Sequence, residues 1–175
     1  MNFEYLSKII FDEITPKLEQ NSGLAIFAEK RAKFEGWLKV ELCESLSKYF
    51  PCVTPEYSAG KNSLIDITFD NWAIELKTVN TNYSDKNAIN VTRPITKNID
   101  DIINDIKKLK GLPSSKYPNK AILFVVFPLN LEKDKKWNFH LKKISINLMQ
   151  IEYKEFKFKN KISGVIYFGW AGCHY

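Results

Sequence analysis

The stretch LIDITFDNWAIELKTV, residues 64–79, decides the fold because it reads as two β-strands joined by a tight turn. Its apolar residues alternate with the period of two that is typical of half-buried strands. They are Ile65, Ile67, Phe69, Trp72, Ile74 and Leu76. Three charged residues, Asp66, Glu75 and Lys77, interrupt this pattern, although charged residues are depleted in strands. Their presence in a predicted hairpin therefore needs a physical reason.

The hairpin register predicts where these three side chains lie. Asp70 and Asn71 both tolerate positive φ and fit a two-residue turn. With that turn, Asp66 faces Glu75 across the strand pair, with Cβ atoms about 4.5–5.5 Å apart. Lys77 lies on the same face because it is two residues beyond Glu75. The register thus predicts a charged cluster on one face and the apolar residues on the other, and a bulge would shift it by one residue.

Two facing carboxylates destabilise a sheet unless water, a proton or a cation lies between them. Mg²⁺ fits such a pair because it binds one or two carboxylates, keeps several waters and shares phosphate oxygens. Mn²⁺ or Ca²⁺ also accepts oxygen ligands. A lysine beside the ion suits the developing charge of a phosphate or the positioning of a hydroxide. The alternative is a solvent-facing strand surface with a Glu–Lys ion pair.

The rest of the chain predicts one α/β domain over residues 1–175, with a central mixed β-sheet flanked by helices. Apolar spacing, Pro and Gly mark the elements. The predicted helices are 3–13, ended before Pro16, then 24–49, 97–110 and 136–146. The predicted strands are 52–58, 63–69, 72–79, 121–129, 151–158 and 163–170, and residues 80–96 are predicted to be a loop.

Composition limits the function classes only broadly. The net charge of +6 favours polyanionic partners weakly. No apolar run approaches the roughly 18–20 residues that span a membrane. The N-terminus also lacks the basic start and apolar stretch of a signal peptide. A cytoplasmic protein without a membrane partner is expected.

The pattern Asp66-(x8)-Glu75-Leu76-Lys77, spanning two strands after a long helix, resembles the PD-(D/E)XK nuclease superfamily, which includes restriction endonucleases and Holliday-junction resolvases. The restriction endonuclease-like αβββαβ core of that family matches residues 24–127 in element order. The resemblance implies that Asp66, Glu75 and the carbonyl of Leu76 bind metal, and that Lys77 supports the attacking water. The position before Asp66 is Ile65 instead of the proline of the motif.

Many members of this superfamily add a glutamate from the first core helix. Glu35 is preferred for that role here, with Glu41 as the alternative, because Glu35 lies at the edge of the apolar stripe. The resemblance then implies a Mg²⁺-dependent DNA endonuclease, with Mn²⁺ possible, of restriction or repair and recombination type. A homodimer is plausible because cutting two strands needs two sites. An inactive nucleic-acid-binding or assembly module with the same fold is the alternative function.

Contacts to DNA are expected from cations near the site. The candidates are Lys61, Lys86, Arg93 and Lys97. In the polar loop, Asn80, Asn82, Asn87 and Asn90 are candidates for reading base edges, with a disordered surface loop as the alternative. A second basic run, which includes Lys133, Lys142 and Lys143, is expected to be a solvated face.

Overall fold

The structure, a computed structural model, describes residues 2–58, 64–89 and 95–172, and contains a six-stranded mixed sheet with helices on both faces. The helices are α1 (Phe3–Gln20), α2 (Ser22–Glu29), α3 (Glu35–Ser47), α4 (Ile95–Lys110) and α5 (Trp137–Ser145). The strands are β1 (Thr54–Ser58), β2 (Leu64–Phe69), β3 (Trp72–Asn80), β4 (Asn119–Phe127), β5 (Gln150–Lys157) and β6 (Ser163–Trp170). The prediction of an α/β fold with a mixed sheet flanked by helices is confirmed.

The strands lie in the order β1-β2-β3-β4-β6-β5. Among the six described strands, only β3 and β4 are parallel, and the other neighbouring pairs are antiparallel. Strands β3 and β4 can run parallel because helix α4 lies between them in the chain and forms the crossover connection that a parallel pair needs. The helix α4 therefore lies against β3, and its side chains reach the middle of that strand.

Two hydrophobic clusters cover the two faces of the sheet. One contains buried side chains of α1, α2 and α3, and the other contains those of α4 and α5. Strand β4 contributes alternate residues to both clusters, such as Leu123 to the first and Phe124 to the second. The continuous apolar run of β4 is explained by this burial on both faces.

The predicted helix 24–49 is wrong, because the chain forms α2 and α3 with a link at residues 30–34. Arg31 has a φ of 53°, which ends α2, and its side chain is buried. The guanidinium donates from Nε to the carbonyl of Ile89 at 2.6 Å and from Nη2 to that of Tyr83 at 2.8 Å, with a third bond to that of Thr81. The break is thus stabilised by carbonyls from a distant loop, which helical periodicity does not reveal.

The first helix is also longer than predicted, because α1 continues through Pro16 to Gln20. Proline removes one helical hydrogen bond. The apolar stripe nevertheless continues beyond it: Ile14 and Leu18 are both fully buried. Burial of this face outweighs the local cost of the proline. Among the described residues, no helix combines the length and apolar character needed to cross a bilayer.

Candidate active site

The two strands of the hairpin separate at the point where the acids lie. The first three backbone pairs are those predicted: Phe69–Trp72, Thr68–Ala73 and Ile67–Ile74. The predicted pairing of Asp66 with Glu75 is wrong for the backbone, since the ladder ends at Ile67. Instead, Oδ2 of Asp66 accepts a hydrogen bond from the backbone N–H of Leu76 at 2.8 Å. A carboxylate therefore occupies the edge of β3 where a neighbouring strand would pair.

The separation coincides with a rotation of β2 at Asp66. Ile67 packs on the α3 side of the sheet, whereas Ile65 packs on the α4 side, although residues two apart in a regular strand share a face. The predicted common apolar face is therefore wrong for Ile65. The neighbouring strand is distorted at the same level, because Glu56, which lies between the paired residues of β1, has a φ of 51°. These distortions direct Asp66 toward the gap between β2 and β3.

Glu75 and Lys77 point to the opposite helix, α4. Oε1 of Glu75 lies 2.5 Å from Nζ of Lys108, and the Glu75 side chain is almost completely buried. Nζ of Lys77 lies 2.8 Å from Oδ2 of Asp105. Burial lowers the pKa of Lys77, but the ion pair with Asp105 and the charges of Glu35 and Asp66 outweigh it, so that the pKa is raised. Lys77 is therefore held as a cation.

The carboxyl groups of Asp66 and Glu75 lie within hydrogen-bonding reach of each other. Burial and the charge of Asp66 raise the pKa of Glu75 to about 8, against the opposing effect of Lys108. For Asp66, burial is outweighed by Lys39, whose Nζ lies 2.8 Å from Oδ1, and by the Leu76 N–H, so the pKa of Asp66 is lowered. At neutral pH the pair thus holds one proton, carried by Glu75.

Glu35 lies at the same edge of β3. It begins α3, and its Oε1 accepts from the backbone N–H of Thr78 at 3.0 Å. The alternative glutamate, Glu41, instead lies 2.8 Å from Nζ of Lys17 on α1. The structure therefore brings Glu35 to the site residues and keeps Glu41 away from them.

The backbone of β3 also faces this gap. The N–H and C=O of one residue in a strand point to the same neighbouring strand. Since the N–H of Leu76 donates toward Asp66, the Leu76 carbonyl points to the same side. The Leu76 carbonyl therefore lies on the side of β3 that the Asp66 carboxylate occupies.

The candidate DNA contacts are spread over different places. Lys86 is exposed in the loop after β3, and Lys97 is exposed in the first turn of α4. Lys61, Arg93 and Asn90 lie outside the described residues. The predicted base-reading role of Asn80 is wrong, because its side chain is buried and donates to the carbonyl of Arg31 at 2.6 Å.

Three charged residues of the site were not predicted: Lys39, Asp105 and Lys108. Lys39 lies four residues after Glu35, and this spacing places both on one side of α3. Asp105 and Lys108 border the buried stripe of α4, beside Ile106. The signal was therefore present in the helical spacing, but only the packing of both helices against β3 assigns these charges to the site.

The oxygen atoms present suit a hard cation. Two carboxyl groups that share one proton are close enough to share a small ion, and the Leu76 carbonyl adds a third oxygen. In the described parts of the chain, no group of three His, Cys, Asp or Glu residues is arranged to hold a metal. The residues thus fit an ion bound by few protein ligands, which is the way Mg²⁺ is usually held.

The buried Glu75 predicts that the metal-free protein loses stability as the pH rises. The pKa of Glu75 is raised to about 8 in the fold, against about 4.3 in the unfolded chain. The folded state therefore binds the extra proton between these values, and stability falls as the pH rises toward 8. In the presence of chelator, urea titration is expected to give a free energy of unfolding about 2–3 kcal/mol lower at pH 8 than at pH 5.5.

The matched control for this measurement is Glu75→Gln, which cannot titrate. Asp66 does not contribute in this window, because its lowered pKa lies below it and its effect is lost only at acid pH. In Glu75→Gln this fall in stability is expected to disappear, which leaves the opposite trend from His140, because burial lowers its pKa and stability then rises with pH. The same pH dependence in both proteins would contradict the assignment.

Comparison of the chain with protein-family models, with curated proteins and with solved structures gave no match.

Proposed function

We propose that the chain is a divalent-metal-dependent DNA endonuclease of restriction or of repair and recombination type. The observation that carries the proposal is the meeting of Asp66, Glu75 and Lys77 where β2 and β3 separate, with Glu35 bonded to the same strand edge. A solvent-facing strand surface would not have a glutamate that is 4% exposed with a pKa raised to about 8. Strongly perturbed carboxyl pairs are typical of reactive sites.

The element order supports the resemblance to the PD-(D/E)XK superfamily. The chain order α3-β1-β2-β3-α4-β4 corresponds to the αβββαβ core, and these four strands are consecutive neighbours in the sheet. The core so defined begins at Glu35 instead of residue 24, since the link at residues 30–34 separates α2 from α3. Glu35 then opens the first core helix.

Each site residue has a chemical role in this proposal. Asp66, Glu75 and the Leu76 carbonyl would hold Mg²⁺ or Mn²⁺, which when bound polarises the phosphate and lowers the pKa of a water. Glu75 must release the proton that it holds beside Asp66 before it can act as a ligand. Lys77, kept protonated by Asp105, stabilises negative charge at the phosphate rather than acting as a base.

One observation favours the alternative of an inactive nucleic-acid-binding module. Each of the three side chains has a partner on a helix: Asp66 pairs with Lys39 and Lys77 with Asp105, while Glu75, protonated at neutral pH, lies beside Lys108. The site is therefore neutralised by the protein itself. In the nuclease proposal, Lys39 and Lys108 release the two acids when a cation takes their place.

The proposal is tested with supercoiled plasmid and with duplex, nicked, branched and mismatched oligonucleotides, in Mg²⁺ or Mn²⁺. Wild type is expected to cut at least one of them. Asp66→Asn is expected to lower the rate by about 10²–10³-fold or more, as when a charge-stabilising group is removed. Glu35→Gln is expected to lower the rate as well, and Glu41→Gln is its matched control, since both glutamates lie on α3 but only Glu35 reaches β3.

Three outcomes separate the alternatives. Cutting by wild type but not by Asp66→Asn supports the nuclease. Binding without cutting on every substrate, with both ions, favours the inactive module. Absence of both binding and cutting contradicts both functions. Linear plasmid product without a nicked intermediate would further support a homodimer with two sites.

A further inference from the structure

A second feature, separate from the candidate active site, is a cleft at the carboxyl ends of the parallel strands β3 and β4. Its volume is about 820 Å³, within the range of about 300–1,000 Å³ that is usual for ligand sites. Its lining comes from the loop after β3, the segment after β4, and the β5–β6 connection. Ligands of open α/β sheets commonly bind outside the carboxyl ends of parallel strands.

Four lysines from these three segments line this cleft, which we name the lysine cleft. They are Lys86, Lys133, Lys157 and Lys161. Within residues 2–58, 64–89 and 95–172, none of their ammonium groups forms an ion pair with a carboxylate. Four lysines outnumber the two aspartates of the lining, so the cleft carries a net positive charge that favours a negatively charged ligand.

The two aspartates that line the lysine cleft each accept a hydrogen bond from the backbone of the lining. Oδ1 of Asp85 accepts from the backbone N–H of Asn87 at 2.8 Å, and Oδ2 of Asp134 accepts from that of Asn130 at 2.8 Å. Both carboxylates thus shape turns of the lining. Each aspartate keeps its charge, but two carboxylates offset only two of the four lysines, so the cleft stays positive.

The walls of the lysine cleft are fixed to the sheet before any ligand binds. The buried Arg31 side chain donates to carbonyls of residues 81, 83 and 89, which holds the loop after β3. The N–H of Thr81 donates to the carbonyl of Phe127 at 2.8 Å, and that of Leu129 to the carbonyl of Ser163 at 2.9 Å. Preorganised walls lower the ordering cost of binding.

We propose that the lysine cleft binds the sugar–phosphate backbone of DNA, next to the part of the DNA that enters the candidate active site. The proposal rests on the proposed nuclease function. Lysine ammonium groups bind phosphates as point charges, without reading the bases. Strand β3 joins the two places: Asn80, its last residue, is three residues beyond Lys77, a rise of about 10 Å. The cleft thus adds Lys133, Lys157 and Lys161 to the earlier candidate Lys86.

The test measures binding without catalysis. Anisotropy of labelled duplex and single-stranded DNA is recorded in chelator over a range of KCl concentrations. The cleft variant carries Lys86→Gln, Lys133→Gln, Lys157→Gln and Lys161→Gln. The matched control carries Lys8→Gln, Lys107→Gln, Lys142→Gln and Lys143→Gln, which remove the same charge from exposed lysines outside the cleft. Thermal melting verifies folding, and a double variant, Lys86→Gln with Lys161→Gln, replaces the cleft variant if it unfolds.

The cleft variant is expected to bind at least about tenfold more weakly at 100 mM KCl than wild type. The slope of log K against log salt is expected to fall by about 3, since each phosphate contact contributes about 0.7–0.9. The control variant is expected to keep most of the slope. Equal weakening of both variants, or a cleft variant that binds like wild type, would overturn the proposal.

Two further arms separate the ligand source and the function. If free nucleotide binds wild type but not the cleft variant, and both proteins bind DNA equally well, the assignment of the cleft to the DNA backbone is wrong. Cutting in Mg²⁺ is measured in parallel. If the cleft variant loses binding although wild type never cuts, the cleft stands and the nuclease function fails. If wild type cuts and the cleft variant binds and cuts equally well, the nuclease function stands and the cleft fails.

Discussion

Replacing Arg31 with methionine is expected to lower the free energy of unfolding by about 3–5 kcal/mol. The guanidinium is buried and satisfies three carbonyl groups, those of Thr81, Tyr83 and Ile89. Methionine leaves these carbonyls without their donor, and water reaches them only if the loop opens. Arg31→Lys is expected to recover only part of the loss, because an ammonium lacks the planar fork that reaches all three carbonyls.

Urea unfolding at neutral pH measures this effect, and amide hydrogen exchange of residues 81–89 measures the opening of the loop. Lys30→Met is the matched control, since Lys30 is exposed beside its partner Glu29. It is expected to change the free energy of unfolding by less than about 1 kcal/mol. An Arg31→Met protein as stable as wild type would show that the hydrogen bonds of Arg31 are dispensable.

Replacing Lys77 with methionine is expected to lower the cleavage rate by about 10²–10³-fold, provided that the proposed nuclease activity is present. The reason is loss of a cation that Asp105 and the surrounding acids keep charged. Lys77→Arg keeps the charge and is expected to lose less. DNA affinity in chelator is expected to stay within a few-fold of wild type, because one contact of many is removed.

Single-turnover cleavage and anisotropy measured on the same protein distinguish this result from unfolding. Lys107→Met is the control, because Lys107 is an exposed lysine on α4 in the turn that carries Asp105 and Lys108. A Lys77→Met protein that cuts at the wild-type rate would remove Lys77 from the proposed chemistry.

Local chemistry was enough to predict the start of the hairpin. Asp70 does adopt a positive φ, of 50°, and the first three backbone pairs follow from a turn at Asp70 and Asn71. The alternation of apolar residues likewise predicted most of the buried face. The continuation to Asp66 was not predictable in this way, because β2 rotates there in response to partners on β1, α3 and β3.

The break between α2 and α3 shows the limit of helical periodicity. The apolar spacing continues from Phe27 to Leu38, yet Phe27 is 43% exposed. The break is decided by Arg31, whose three carbonyl partners lie 50, 52 and 58 residues further along the chain. A propensity argument cannot include such contacts, since they exist only after the loop beyond β3 has docked.

The separation of β2 from β3 also governs how the protein avoids unwanted association. Among the described strands, none pairs with β3 beyond Ile74 on the edge that faces away from β4, and an open edge can pair with a strand of another molecule. Asp66 and Glu35 occupy this edge by accepting from the N–H groups of Leu76 and Thr78. These two acids therefore block intermolecular strand pairing. Replacing them with alanine would expose an aggregation-prone edge. Replacing them with asparagine and glutamine would keep the edge covered, because an amide oxygen also accepts from the N–H groups.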